Sequence, residues 1–462
     1  MDKKLLDPLI QFLKIPSVST QEKYLPDMQS ARNYLVELFS SMGFKTKILK
    51  GIKHDAVFAE LAQPLLSDGG PTVLIYGHYD VQPAEPLNEW KTPAFEPTIK
   101  GDEIYARGSA DNKGQHMIHI MAIKSLLQSK VTGAKLFHPT GGTRLPVNFK
   151  FLIEGEEEIG SPSINDLAKK YSKNLLSCDY LMVSDTGMRK EQPSIDTGLR
   201  GLVYTEVSLQ TAKHDLHSGE YGGLAENPAI VLTKLINNLK DDKNRVLVPH
   251  FYDDVEKLSI KEIAEIKKVG KSEKEIIEEG ELLGTGGGES KYSVGERKWT
   301  QPTLDVNGIW SGYTGEGSKT IIPYKASAKI SMRLVPNQDN DKIYASFEKY
   351  VKSLVPKWMK LEIVRHADCL PYKAPTNHKV FDLMRKSLKK VYGKNPIEKR
   401  VSGSIGFVPI MAKSLKVPVL MIGFALPGAN IHAPNEHFNL TNYYKGIEVM
   451  TDFYKALPKI KS

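Results

Sequence analysis

Acids and histidines of this sequence fall where short apolar runs stop. Gly77-His78-Tyr79-Asp80 follows Thr72–Tyr76 (TVLIY), Glu154–Ser161 (EGEEEIGS) follows Val147–Ile153 (VNFKFLI), and Ser184-Asp185 follows Leu181–Val183. In open α/β sheets, sites form at the carboxyl ends of strands. His78 and Asp80 are spaced i, i+2 and point to one side of an extended segment. An Asp beside a His commonly holds the far ring N–H of a metal ligand; ordinary turn chemistry is the competing reading. Glu156, Glu157 and Glu158 repel one another in a plain surface loop. A dication would remove that penalty, letting one carboxylate ligate while its neighbour works as a base.

Other candidates carry an equally plain alternative. Asp111, in Arg107–Gly114 (RGSADNKG), precedes a helix and suits an N-cap. His432, in Ala429–Glu436 (ANIHAPNE), suits a surface loop. His217, in Asp215–Gly219 (DLHSG), suits a turn, and Arg333 a solvated strand position. His116 and His119 are three apart on an amphipathic helical pattern, where a structural role is expected.

The elements that must position these residues alternate. Ala31, Leu35, Leu38, Phe39 and Met42 follow a helical period, and Gly43 suits a stop. Thr72–Tyr76 reads as a strand buried on both faces, Met117–Leu127 as a helix and Val147–Ile153 as another strand. This rhythm predicts a mostly parallel, helix-covered α/β sheet. From Gly198–Gly201 onward the style changes. Tyr204–Gln210 and Ala326–Val335 alternate polar and apolar residues, and Asn227–Leu239 and Asn377–Tyr392 read as helices. These predict an α+β insert with an open-faced antiparallel sheet. Buried style returns at Val417–Leu426, followed by a helix from Thr441 to Leu457. The expected division is therefore a discontinuous first domain over 1–199 and 398–462, interrupted by an insert over 200–397.

Composition excludes several classes. Apolar residues make up 40% and charged residues 25% of the 462 positions, as in ordinary globular chains. The run Val417–Leu426 falls far short of the roughly 20 residues a spanning helix needs, so no membrane role is expected. Asp7, Gln11 and Lys14 interrupt any signal-peptide core, and Cys178 and Cys369 make no disulfide framework. A cytoplasmic protein is expected. The charge is +9, from 63 basic and 54 acidic residues. Many lysines nevertheless mix with glutamates, as in Lys261–Glu281, which reads as a solvated helical face. No nucleic-acid partner is expected. Gly284–Gly288 (GTGGG) lacks the Lys-Ser/Thr of a phosphate loop and reads as a turn.

Taken together, the motifs strongly resemble the M20 metallopeptidases of the carnosine-dipeptidase type. The matching text is GHYDVQP (Gly77–Pro83), RGSADNKG, EGEEEIGS, SDT (Ser184–Thr186), TGLRG (Thr197–Gly201), DLHSGEYGG (Asp215–Gly223), KTIIP (Lys319–Pro323), MRLVPN (Met332–Asn337), SGSI (Ser402–Ile405) and the His432 segment, in family order over nearly the whole chain. The resemblance implies a di-metal catalytic domain with an inserted lid and dimerisation domain. It implies two divalent ions per subunit, Zn2+ or Mn2+. His78, Asp111 and Asp185 would hold one ion; Asp111, Glu158 and His432 would hold the other, with Asp111 bridging. Such N/O donors without thiolate suit hard-to-borderline cations.

The resemblance further implies that Asp80 orients His78 and that Glu157 is the general base for a metal-bridging hydroxide. His217 would reach the site of the other subunit of a homodimer, and Arg333 would clamp the carboxylate of a small peptide. Thr320 and Ser404 match further substrate positions, and a cis peptide is implied between Asp111 and Asn112. Asn112 stands where many members have a second Asp, and Ile159 where a small polar residue is common. The implied activity is cleavage of dipeptides or short peptides with a free C-terminal carboxylate. An N-acyl-amino-acid amidohydrolase would need the same metals, base and clamp. A non-catalytic scaffold would be expected to lack a ligand or Glu157, and all are present.

Overall fold

The computed structural model describes residues 2–61, 70–128, 145, 147–189 and 192–460. The chain forms two compact units. Unit 1 takes Met1–Thr197, Ala374–Lys399 and Gly406–Ser462; unit 2 takes Gly198–Lys373 and Arg400–Ile405.

Unit 1 is built on a mixed sheet. Its strands run in the spatial order Lys45–Leu49, Ala56–Leu61, Asn148–Glu154, Thr72–His78, Tyr180–Val183, Val419–Met421 and Ser194–Leu199. The middle four are mutually parallel, as the buried apolar runs predict; the flanking pairings are antiparallel. Thr72–His78 is buried from its second residue onward, which is why its sequence shows no alternation. In the parallel register, His78 lies opposite Glu154 and Tyr76 opposite Val183. The three segments carrying the candidate acids and histidines thus emerge at one end of the sheet.

Helix Lys113–Gln128 packs on the sheet and on helix Leu440–Ala456. Every residue from Lys113 to Ile123 is buried, so this helix is not amphipathic: its histidines are enclosed as fully as its isoleucines. Helix Lys379–Tyr392, expected in the insert, falls in unit 1. It buries Val380, Phe381, Met384 and Leu388, and Ser387 donates to Asp452 of the last helix.

Unit 2 carries a four-stranded antiparallel sheet ordered Thr303–Ser311, Lys325–Leu334, Gly201–Gln210, Lys360–Cys369. Val203, Val207, Leu209, Ala328, Ile330 and Met332 share a core with Val231, Leu232 and Leu235 of helix Pro228–Asn237 and with Ile343, Phe347 and Val351 of helix Asn340–Leu354. The sequence pattern reveals the two central strands because they alternate. The outer strands escape it because both are largely exposed or half-buried. The Lys/Glu-rich stretch forms two helices, Ile260–Val269 and Glu273–Gly280, neither with a buried residue. Each opens on a capping box, Ser259/Glu262 and Ser272/Glu275. Among the described residues, no helix is long and apolar enough to cross a membrane.

Candidate active site

Two groups of potential metal ligands lie in unit 1 and share one residue. His78, Asp111 and Asp185 form the first; Asp111, Glu158 and His432 form the second. Within each group, one donor atom per residue lies within 4.8 Å of the others. His78 Nε2 is 3.1 Å from Asp111 Oδ1 and 3.6 Å from Asp185 Oδ1. His432 Nε2 is 2.8 Å from Asp111 Oδ2 and 3.3 Å from Glu158 Oε2. The two Asp111 oxygens therefore face different histidines.

The loop bearing Asp111 is fixed from below. The buried Glu436 carboxylate accepts from the N–H groups of Gly108, Ala110 and Asp111 at 2.9, 2.8 and 3.0 Å. It also pairs with buried Arg107 at 2.8 Å. The Asp111–Asn112 peptide is cis. Asn112 Nδ2 donates to Asp185 Oδ1 at 2.6 Å and to the Ser184 carbonyl at 2.7 Å, while its Oδ1 meets His116 Nδ1 at 3.1 Å. His119 lies between Tyr454 Oη and Ser184 Oγ, 2.7 Å from each. Both helix histidines thus buttress the Asp185 segment. Motif reading singles out neither Glu436 nor Asn112 as a site residue. The available signal was their position inside ANIHAPNE and RGSADNKG.

The three consecutive glutamates face different partners. Glu156 accepts from the N–H groups of Lys53, His54 and Ser163 and pins two loops. Glu158 joins the second ligand group and accepts from Gln82 Nε2 at 2.8 Å. Glu157 is held through its backbone, whose N–H lies 3.3 Å from Asp80 Oδ1; the Glu158 N–H donates to Asp80 Oδ2 at 3.0 Å. The Asp80 carboxylate therefore carries the glutamate turn. His78 Nδ1 lies nearer the Asp80 carbonyl oxygen, at 3.0 Å, than its Oδ1, at 3.4 Å.

Crowding these acids perturbs their protonation. Burial pushes the Glu157 carboxyl well above its usual range, and the negative charges of Asp185, Glu158 and Asp111 add to it. Burial likewise lifts Asp185 to about 6. His432 is raised to about 10 by its hydrogen bonds to Asp111 and Glu158. Burial pulls His78 down, but hydrogen bonds to Asp111, Asp185 and Asp80 outweigh it and hold its pKa well above normal. Protons on the two rings thus supply the positive charge that the carboxylates demand. Divalent cations would supply the same charge, from imidazole and carboxylate donors suited to them, so the cluster fits a pair of such ions.

Unit 2 places the remaining predicted residues as two pairs. Arg333 Nη1 donates to Ser404 Oγ at 3.0 Å. His217 lies on a short strand opposite Ile321, and the Thr320 carbonyl accepts from the Ser218 N–H at 3.1 Å. His217 is exposed; its Nδ1 accepts from the Gly219 N–H at 3.0 Å, with no partner at Nε2 among the described residues.

Known proteins are similar to this chain over most of its length. A Cys-Gly metallodipeptidase, DUG1 of Candida albicans, is 30% identical over 97% of this chain and 93% of its own length. The Beta-Ala-His dipeptidase of Rattus norvegicus is 27% identical over 85% of this chain and 78% of its own length. The crystal structure of the M20 family metallo-carboxypeptidase Sso-CP2 from Sulfolobus solfataricus superimposes with a TM-score of 0.86 at 36% identity, covering 100% of both chains. The sequence profile of peptidase family M20/M25/M40 matches residues 74–456. The chain therefore belongs to peptidase family M20/M25/M40 and is a metallopeptidase.

Proposed function

We propose that the protein is a di-metal dipeptidase acting on dipeptides or short peptides with a free C-terminal carboxylate. The observation that carries this reading is the sharing of Asp111 between two ligand groups, with the half-buried Glu157 on the turn that carries Glu158. His78, Asp111 and Asp185 would hold one ion; Asp111, Glu158 and His432 would hold the other. Zn2+ and Mn2+ both suit these donors. Ions in such a pair lower the pKa of a water and polarise the scissile carbonyl.

The chain's own groups do the rest. Glu157, in the ionised form that bound cations would favour, would take a proton from the attacking water at its carboxylate and return it to the leaving amine. Asp80 orients this base by accepting from the Glu157 and Glu158 N–H groups. Arg333, held by Ser404, offers a planar two-pronged donor to the substrate carboxylate. Thr320 lies next to the His217 strand and would line the substrate path. His217, with an unengaged ring nitrogen on an exposed strand, would stabilise the oxyanion in the other subunit of a homodimer.

The similarity to a metallo-carboxypeptidase favours a second reading, release of a C-terminal residue from longer peptides by the same groups. Hydrolysis of a panel of free dipeptides, tripeptides and N-acetyl amino acids by metal-restored enzyme separates the readings. Dipeptide cleavage abolished by N-acetylation supports the dipeptidase. Faster cleavage of longer peptides supports the carboxypeptidase, and cleavage of the acylated compounds alone contradicts both.

A further inference from the structure

Outside the metal cluster, unit 2 holds a second concentration of unbalanced charge. Arg200 is only 7% exposed. Its guanidinium donates to neutral acceptors alone: the Lys298 carbonyl at 3.4 Å, the Gln301 carbonyl at 3.5 Å and Thr303 Oγ1 at 3.0 Å. Its Nε is buried with no hydrogen-bond partner among the described residues. Arg333 lies opposite both Thr303 and Leu202 in the sheet. The hydroxyl of Ser404 links the two arginines, accepting from Arg333 Nη1 and donating to the Arg200 carbonyl at 2.6 Å. Among the described residues, neither guanidinium has a carboxylate within ion-pair distance. Asp305, whose charge acts on Arg200, accepts from Thr303 Oγ1 at 3.1 Å and pairs with Lys240 at 3.5 Å.

A buried arginine is ordinarily paired with an acid, because an unpaired buried charge is costly. Here two cations adjoin instead. Burial and then the Arg333 charge lower the Arg200 pKa to about 10, against the opposing pull of the Asp305 carboxylate. An anion arriving at Arg333 would offset the repulsion between the two cations, which Asp305, linked to Arg200 only through the Thr303 hydroxyl, relieves in part.

We propose that Arg200 is a positioning residue whose buried charge, beside Arg333 and Ser404, makes this end of the unit 2 sheet selective for the free carboxylate of the substrate. The proposal rests on the reading of Arg333 as the carboxylate clamp. An acid–amide pair of ligands exposes it: the amide lacks the charge and keeps the shape. Replacing Arg200 should weaken carboxylate binding and leave the chemical step alone, because Arg200 does not reach the reacting atoms.

The test is calorimetric titration of the metal-loaded enzyme with leucine and with leucinamide, alongside kinetics on glycyl-leucine. Arg200→Met should lower leucine affinity and raise KM by at least about tenfold, with kcat and leucinamide affinity within about threefold. Arg200→Lys keeps the charge while losing the forked hydrogen bonds, and should stay within about threefold of wild type in leucine affinity. A purely structural pin predicts the opposite, with Arg200→Lys as impaired as Arg200→Met, and that result overturns the proposal. If Arg200→Met does not fold, Arg200→Gln takes its place, and Thr303→Val removes a hydrogen bond but no charge. A tenfold loss in Thr303→Val, or none in Arg200→Gln, overturns the proposal as well. If wild-type enzyme shows no preference for leucine over leucinamide, the Arg333 clamp itself falls, and this assignment with it.

Discussion

The backbone N–H of Asp111 donates to the Glu436 carboxylate at 3.0 Å, joining residues that stand 325 positions apart. One buried carboxylate thereby holds the loop of the shared ligand, and it lies four positions beyond His432. Replacing it by Gln keeps its shape but removes the charge that serves Arg107 and the backbone donors. Glu436→Gln is expected to weaken metal binding about 10- to 100-fold, as loss of an outer partner does. Glu436→Ala should also cost about 3–5 kcal/mol of stability by stranding buried Arg107. Competitive chelator titration and chemical denaturation check these; a Glu436→Gln affinity within about threefold of wild type would refute the first.

Much of this was legible in the sequence because strand ends and chemistry coincide. Thr72–His78 and Tyr180–Val183 are apolar runs terminated by His78 and, just beyond, by Asp185, and a parallel sheet brings such termini to one edge. The outer strands of unit 2 were not legible, since edge strands such as Thr303–Ser311 bury too little to alternate. Glu436 was hidden for a different reason. Its role depends on a loop hundreds of positions away, and no local pattern distinguishes a buried glutamate from a solvated one.

Glu157 and Glu158 are neighbours with different partners, and substitution should separate them. Glu157→Gln keeps the ligand groups intact and would remove the proposed base. Metal content should be unchanged while turnover falls by at least about 10²-fold. Atomic absorption and steady-state kinetics check this, and a loss below tenfold would remove Glu157 from the base role.

Metal loading should release protons. Ligating imidazoles must be neutral, whereas His432, raised to about 10, and His78, raised well above normal, keep their protons at pH 7 without ions. Raised values mean that protons compete with metal over a wider range, so affinity should climb as pH rises from 6 toward 9. Calorimetry at pH 7 in buffers of different ionisation enthalpy should show release of about one to two protons per chain. Uptake of protons, or affinity independent of pH, would contradict this reading.

Complementation addresses His217. If the proposed homodimer forms its sites across subunits, Glu157→Gln and His217→Ala proteins should each be nearly inactive. Mixed dimers should regain activity, since one of their two sites combines a native Glu157 with a native partner His217. Subunit exchange verified by mass spectrometry without recovered turnover would contradict the action of His217 in the other subunit's site.

The central claim is that Asp111 is shared by two metal positions, and metal stoichiometry tests it most directly. Wild-type protein should bind about two divalent ions per chain. Asp185→Ala and His432→Ala should each retain about one, because each removes a ligand of one group only. Asp111→Ala, in folded protein, should lose tight binding at both positions. Retention of one tight ion by Asp111→Ala, or loss of both by either single-group variant, would contradict the shared-ligand account.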